Sequence, residues 1–352
     1  MDQPLLRLGL IGFSDADASA IAHAIGIPQE GWPLWQISDF EVADALCVDG
    51  QAVQALSGNS VQVRTYRPDL PTITLDPTQT KLPIAFTAPV PFGLEGVEQV
   101  NFKDSHQLRI SLQRFEAWLR PMRAQFALGA DLVAREQELA QGVYHVLGTN
   151  SQLVAVVNLL DWRVSMLPMA RPIDFENANW VPRPSMAADM PPGFISMTVV
   201  ELMWTYAVRT MQDVLPSRYR KDTVYLRRLP RLPQGWVRDE HLVILRALSS
   251  AAATFKSLVD ITGLHTDHLA RCLAALYFSG AITTNRKAAM HMERKTSPVG
   301  EQSNLSADAG IDSVPFGAGK YIGGLRSQAH SYRSPHQEVD LTAPAPLFIP
   351  GN

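Results

Sequence analysis

The 352-residue chain has little of what ties a protein to a special environment. It carries only two cysteines, Cys47 and Cys272, far apart and each in an apolar segment. That excludes a disulfide framework and suits small buried thiols in a reducing compartment. No apolar run approaches the ~20 residues a bilayer requires. The opening MDQPLLRLGLIGF lacks the charged n-region of a signal peptide, so a cytoplasmic protein is expected. Excess charge is equally scarce: 31 Lys and Arg stand against 34 Asp and Glu, a net charge of -3. With no global field toward nucleic acid or an anionic membrane, any such binding has to be local. Local catalytic signatures are missing too, with no G-x-S-x-G, H-E-x-x-H or P-loop. Gly9 and Gly12 stand at the wrong interval for a dinucleotide fingerprint, which makes a nicotinamide enzyme a poor reading. The chain reads as non-enzymatic, with no catalytic residues and no resident cofactor or metal.

What is present begins with 46% hydrophobic residues, enough for two or three domains with buried cores. The most specific pattern spans 238–287. Leu242, Leu245 and Leu248, thickened by Val243 and Ile244, form one helical stripe. Phe255, Leu258, Val259 and Ile261 form a second, opened by Thr254 as N-cap and closed by Gly263. A third starts behind Thr266, points Leu269, Leu273 and Leu276 inward, and stops at Gly280 before the β-prone Ala281-Ile282-Thr283. Three short helices and a basic tail (Arg286, Lys287, Arg294, Lys295) resemble the winged-helix modules of bacterial regulatory proteins. As a recognition helix the third is thinly equipped: His265, Asp267, His268 and Arg271 are its exposed positions, and Asp267 would repel phosphate.

In residues 1–125, strand-like and helical runs alternate. Strands are expected at Leu5–Ile11, 35–37, Ala45–Val48, 71–75 and 83–87, and helices at 14–25, 51–56 and 107–119. This order argues for a parallel sheet with helices on both faces. Asp49 ends the third run, Thr87 stands in FTAP, and Lys103 precedes the last helix. With these three residues the segment resembles the receiver domain of bacterial response regulators. The resemblance implies a phosphoacceptor site at Asp49, with Thr87 and Lys103 around it. The family's acidic pair follows the first strand directly, whereas Asp15 and Asp17 come later here. Phosphoryl transfer needs a divalent metal held by such carboxylates. Mg2+ is therefore a cofactor only if the receiver-like domain is active, and the bland alternative is Asp49 as a simple strand-end cap.

Residues 126–237 read as a mixed α+β region. A β-hairpin is expected over 142–159 around Gly148-Thr149-Asn150-Ser151, a third strand over 161–167, and a proline-rich loop over 171–194. Thr198 to Glu201 form a capping-box pattern ahead of a strongly apolar helix over 199–214. Next comes the most basic stretch, with Arg218, Arg220, Lys221, Arg227, Arg228, Arg231 and Arg238 interleaved with Tyr219, Tyr225 and Trp236. Together with Arg271, Arg286 and Lys287, these cations are candidate contacts for nucleic acid or another anion. The bland reading is a solvated β-ribbon leading into the winged helix.

His265, His268 and Cys272 form H-x2-H-x3-C, with His241 and Asp267 as conceivable further ligands. Cys272 is explained as well by a place in the core, and no metal is expected. Residues 296–352 are rich in Ser, Gly, Pro, Gln and Asn, and a disordered tail is expected. The architecture expected is thus a receiver-like α/β domain (1–125), a mixed region (126–237), a winged-helix-like module (238–295) and the tail. The expected function is regulation through protein–protein binding, with a homodimer as one form of it, no membrane contact, and DNA-binding transcription control as the alternative.

Overall fold

The computed structural model describes residues 2–27, 32–56, 59–66, 72–89, 97–184, 191–233 and 235–289. The tail expected at 296–352 and the wing residues Arg294 and Lys295 lie outside them. The first 118 positions contribute β1 (Leu5–Ile11), α1 (Asp15–Ile25), β2 (Leu34–Ser38), β3 (Ala45–Val48) and a small β4 (Val53–Ala55), β5 (Val61–Val63) and β6 (Ile73–Leu75). They end with β7 (Ile84–Thr87), β8 (Glu98–Val100) and α2 (Ser105–Trp118). The strands β2-β1-β3-β7-β8, in that order, form a parallel sheet. The near-continuous apolar run LLRLGLI and the fully buried ALCV are what strands covered on both faces require.

The two covers differ. Leu6, Leu8 and Cys47 pack under Ile21 and Ile25 of α1 and under Leu108, Leu112 and Phe115 of α2. On the opposite face Ile11, Leu46, Val48 and Phe86 meet Val61 and Val63 of β5, so β4-β5-β6, an antiparallel sheet, is the second cover. Helices on both faces are therefore not what this chain builds. The expected helix over 51–56 is a 3-10 turn at Gly50–Ala52 followed by β4, because Val53 pairs across to Val63 and its branched side chain favours the strand. The link from β2 to β3 is only a 3-10 turn at Phe40–Val42. So short a crossover suffices because the strands are staggered: β2 pairs with positions 5–9 of β1 and β3 with positions 8–11. The turn steps over β1 at Gly9, where a Cβ would lie 3.1 Å from Phe40 Cα and 2.8 Å from Leu46 Cδ2. Only glycine allows that approach.

α3 (Arg120–Ala134) starts at once after α2, with a proline in its first turn, so the boundary drawn at residue 125 falls inside a helix. β9 (Val143–Leu147), β10 (Leu153–Asn158) and β11 (Arg163–Met166) form the expected antiparallel strands. The proline-rich segment adds one more, β12 (Asn179–Arg183), before β13 (Ile195–Thr198). The sheet order is β12-β9-β10-β11-β13, which puts Pro182 on an edge strand, where its missing N–H is tolerated. α4 (Val199–Ala207) carries the capping box of Thr198 and Glu201. It ends earlier than its apolar run, because the next residues turn away to join the first sheet: Arg209 O accepts from Leu5 N at 2.8 Å.

The C-terminal part holds α5 (Arg218–Lys221), β14 (Tyr225–Leu226), α6 (Asp239–Ser250), α7 (Phe255–Thr262), α8 (Thr266–Phe278) and β15 (Ile282–Thr283). Gly263 (φ 67°) ends α7 and Gly280 (φ 66°) follows α8 in the left-handed conformation expected of glycine. Leu269, Leu273 and Leu276 are fully buried, as expected. The β-prone tail pairs with β14, and Ala253 bridges to Val224. The first stripe is different: Ile244, Leu245 and Leu248 face inward, while Leu242 (51% exposed) and Val243 (44%) face outward.

Arg209 also makes a two-pronged ion pair with Asp44, both contacts at 2.7 Å. Both side chains are nearly buried. Replacing Arg209 with Ala should leave that carboxylate buried without its cation and cost about 3–5 kcal/mol, measurable as a lowered urea midpoint. Asp44→Leu combined with Arg209→Met should recover most of the loss; an unchanged midpoint for Arg209→Ala would show that the pair does not hold the parts together.

Candidate functional site

In open α/β sheets, ligands bind in the crevice beyond the carboxyl ends of the strands. Here that crevice is a cleft of about 450 Å³ whose lining includes Phe13, Asp17, Asp49, Thr87, Asn101 and Lys103. Three sequence-predicted residues thus converge on it from three different strands. Asp49 follows β3, Thr87 ends β7, and Lys103 comes three residues after β8. The Gly50 N–H donates to Thr87 Oγ1 at 2.7 Å, and the Thr87 hydroxyl donates to Asp49 Oδ1 at 2.8 Å. The same carboxylate oxygen accepts from Gln51 N at 3.1 Å, which caps the 3-10 turn. Gly50 cannot be larger, since a Cβ there would run into the carbonyl oxygens of Thr87 and Pro89.

The carboxylates available for a cation are fewer than a receiver uses. Asp17 reaches the cleft from the first turn of α1, held by the Ser14 hydroxyl, which donates to its Oδ2 at 2.7 Å. Asp15 lines a neighbouring cleft of about 700 Å³ together with Asp39, Glu41 and Tyr66. The late acidic pair is therefore split between two hollows, and Asp17 with Asp49 are the carboxylates left beside Thr87 and Lys103. Such a set can attract a hydrated divalent cation or, through Lys103, a small anion.

The predicted cationic surface is partly used inside the protein. Arg218 lies 5.6 Å from the Tyr219 ring and 5.9 Å from that of Tyr277. Arg220 pairs with Asp213 at 2.8 Å and covers Phe255 at 4.9 Å. Arg228 donates to Ser279 O at 3.1 Å, just past the end of α8, and the Arg227 backbone N–H donates to Ala281 O. Arg227 and Arg271 are half-buried, while Lys221, Arg228, Arg231, Arg286 and Lys287 are exposed. Tyr219, expected to be available for stacking, is fully buried and donates to Ile282 O at 3.3 Å. The stretch is a short helix, a two-residue strand and coil, so the continuous β-ribbon expected there does not form.

The third helix is equally committed. Besides its leucines, Ala270, Ala274, Ala275 and Tyr277 are buried, with Trp204 of α4 and Tyr219 in the same core. From Leu269 onward the helix is covered by its neighbours apart from the half-buried Arg271 and Phe278, while its first turn reaches the surface. Its first turn divides the expected ligand set: His265 and Asp267 are exposed, whereas His268 lies 3.9 Å from Glu240 of α6 and Cys272 is buried. Glu240, like Asp44 and Arg209, went unnoticed in the sequence, where nothing marks a charged residue as destined for the interior.

Comparison with family models, with curated proteins and with solved structures gives no match to this chain. Among the described residues no helix is long and apolar enough to cross a membrane.

The hydrogen bonds at Thr87 give the cleft a direct test. Thr87→Val keeps the volume but leaves the Gly50 N–H without its acceptor, and should cost about 1–3 kcal/mol. Thermal unfolding of wild type and variant measures this, and an unshifted midpoint would show that water takes over the bond.

Proposed function

We propose that this chain is a non-enzymatic regulatory protein that acts by binding another protein, with a receiver-like domain at its N-terminus and a winged-helix-like module near its C-terminus. The receiver-like reading is supported by the strand order, in which the parallel strands lie as second, first, third, fourth and fifth in the chain, the doubly wound order of flavodoxin-like folds. It is supported as well by the convergence of Asp49, Thr87 and Lys103 on one cleft. The observation that carries protein binding over DNA binding is the state of the helical module. Its would-be recognition helix is buried on both sides, while Leu242, Val243 and Ile261 stand 51%, 44% and 59% exposed on α6 and α7. Apolar side chains in water favour a protein partner, whether a second copy or another chain.

The test is a pair of measurements on the full chain. Leu242→Asp with Val243→Asp should abolish association with the partner, or self-association in ultracentrifugation, without lowering the unfolding midpoint. Anisotropy with a labelled random duplex at low salt should show no binding. Binding that weakens steeply with salt and is lost in Arg231→Ala/Arg286→Ala would favour the transcription-regulator alternative instead.

The cleft is read as a degenerate receiver site, because the metal-holding pair is split. Incubation with acetyl phosphate and Mg2+ should leave the intact mass unchanged. A phosphoryl adduct lost in Asp49→Asn would instead make Asp49 a working phosphoacceptor, with Mg2+ as its cofactor.

A further inference from the structure

A second cluster lies where the start of α6 meets α8. Glu240 and His241 occupy the first turn of α6, and His268 and Cys272 stand four residues apart on α8, so that both can point to one side. One ligand atom from each of Glu240, His241 and Cys272 lies within 4.8 Å of the others, and His268 Nε2 is 3.9 Å from Glu240 Oε1. His241 is 2% exposed and its ring packs against Trp204, centroids 4.8 Å apart. Its Nδ1 accepts from Arg238 N at 3.3 Å, a long bond, while its Nε2 is buried without any partner. An unpaired buried nitrogen is costly and calls for an occupant.

The donor types decide what that occupant is. A thiol, two imidazoles and a carboxylate form the mixed sulfur, nitrogen and oxygen set that zinc takes in tetrahedral sites. Zinc bonds of about 2.0–2.3 Å place neighbouring ligand atoms roughly 3.4–3.8 Å apart, so the Glu240, His241 and Cys272 atoms have to contract by about 1 Å and the His268 side chain, beside Glu240, has to turn in as the fourth ligand. A dication bound by the Glu240 carboxylate and a Cys272 thiolate is neutral overall. We propose that Glu240, His241, His268 and Cys272 form a structural zinc site that clasps the first turn of α6 to α8. On binding, the Cys272 thiol proton leaves to solvent as the zinc–sulfur bond forms. Ligation through Nε2 places the imidazole proton on Nδ1, so the long bond from Arg238 N is given up.

The experiment uses the full chain purified from zinc-supplemented culture and dialysed without chelator. One zinc per chain is expected by elemental analysis. After chelator treatment, Co2+ should restore a thiolate-to-cobalt charge-transfer band in the near ultraviolet. That band should vanish in Cys272→Ser and persist in Cys47→Ser, whose cysteine lies in β3. Cys272 is in the core and its variant could misfold, so His268→Gln, at a position 37% exposed, provides the independent arm. It should keep the wild-type circular dichroism and weaken zinc more than about tenfold, as the loss of a metal-supporting group does. A chain that leaves dialysis without zinc and gives no band with Co2+ overturns the proposal and leaves water as the occupant. So does undiminished zinc in His268→Gln and Cys272→Ser.

Discussion

The fold depends on one buried ion pair. Asp44 stands immediately before β3, and its carboxylate accepts two bonds from Arg209 and a third from the Arg7 backbone N–H at 2.9 Å. Asp44 N in turn donates to Arg7 O at 2.8 Å, and the Arg7 guanidinium donates to Val208 O at 3.3 Å. β1 and β3 are thereby tied to the turn that follows α4. A buried pair of this kind adds little net stability over an apolar pair of equal volume, but it tolerates no slippage, because a displaced carboxylate would be left uncompensated in the interior. Fixing where β3 begins also fixes where it ends, at Asp49. The same short strand therefore carries the latch at one end and the cleft at the other.

What the sequence discloses follows from the range of each interaction. Strands such as Leu5–Ile11 and Ala45–Val48, and the leucine stripe of α8, are legible because burial is written in consecutive or periodic apolar residues. The convergence of Asp49, Thr87 and Lys103 is legible at one remove, since residues that end successive parallel strands share an edge of the sheet. The Asp44–Arg209 pair is not legible, because its members are 165 positions apart and a charged residue's sequence neighbours do not reveal its partner. The second cover of the sheet was missed for a local reason. The run Val53–Ala55 is too short to separate helix from strand by periodicity, and its partners in β5 decide the matter.

The double burial of α8 had a signal that periodicity alone does not weigh. Flanking the leucines the helix carries Ala270 and Ala274 on one side and Ala275 on the other, all buried. Small side chains on a second face let another helix come close, and α4 brings Trp204 and Ala207 into the same core. A solvent-facing recognition surface would have had long polar side chains there instead. The alanines thus identify α8 as a central packing element.

Counting cations exaggerates the surface they make. The guanidinium groups of Arg218 and Arg220 lie over rings, that of Arg220 also pairs with Asp213, and that of Arg228 holds a carbonyl just past the end of α8. These arginines support packing through their flat donors and long apolar stems. Each one committed inward removes a positive charge that phosphate could have met, and Lys221, Arg228, Arg231, Arg286 and Lys287 are the candidate cations that remain exposed. Leu242, Val243 and Ile261 are meanwhile held outward by the same packing that turns Ile244, Leu245 and Leu258 inward. The same packing thus leaves Leu242, Val243 and Ile261 in the water beside exposed cations of the same two helices, Arg246 and Lys256.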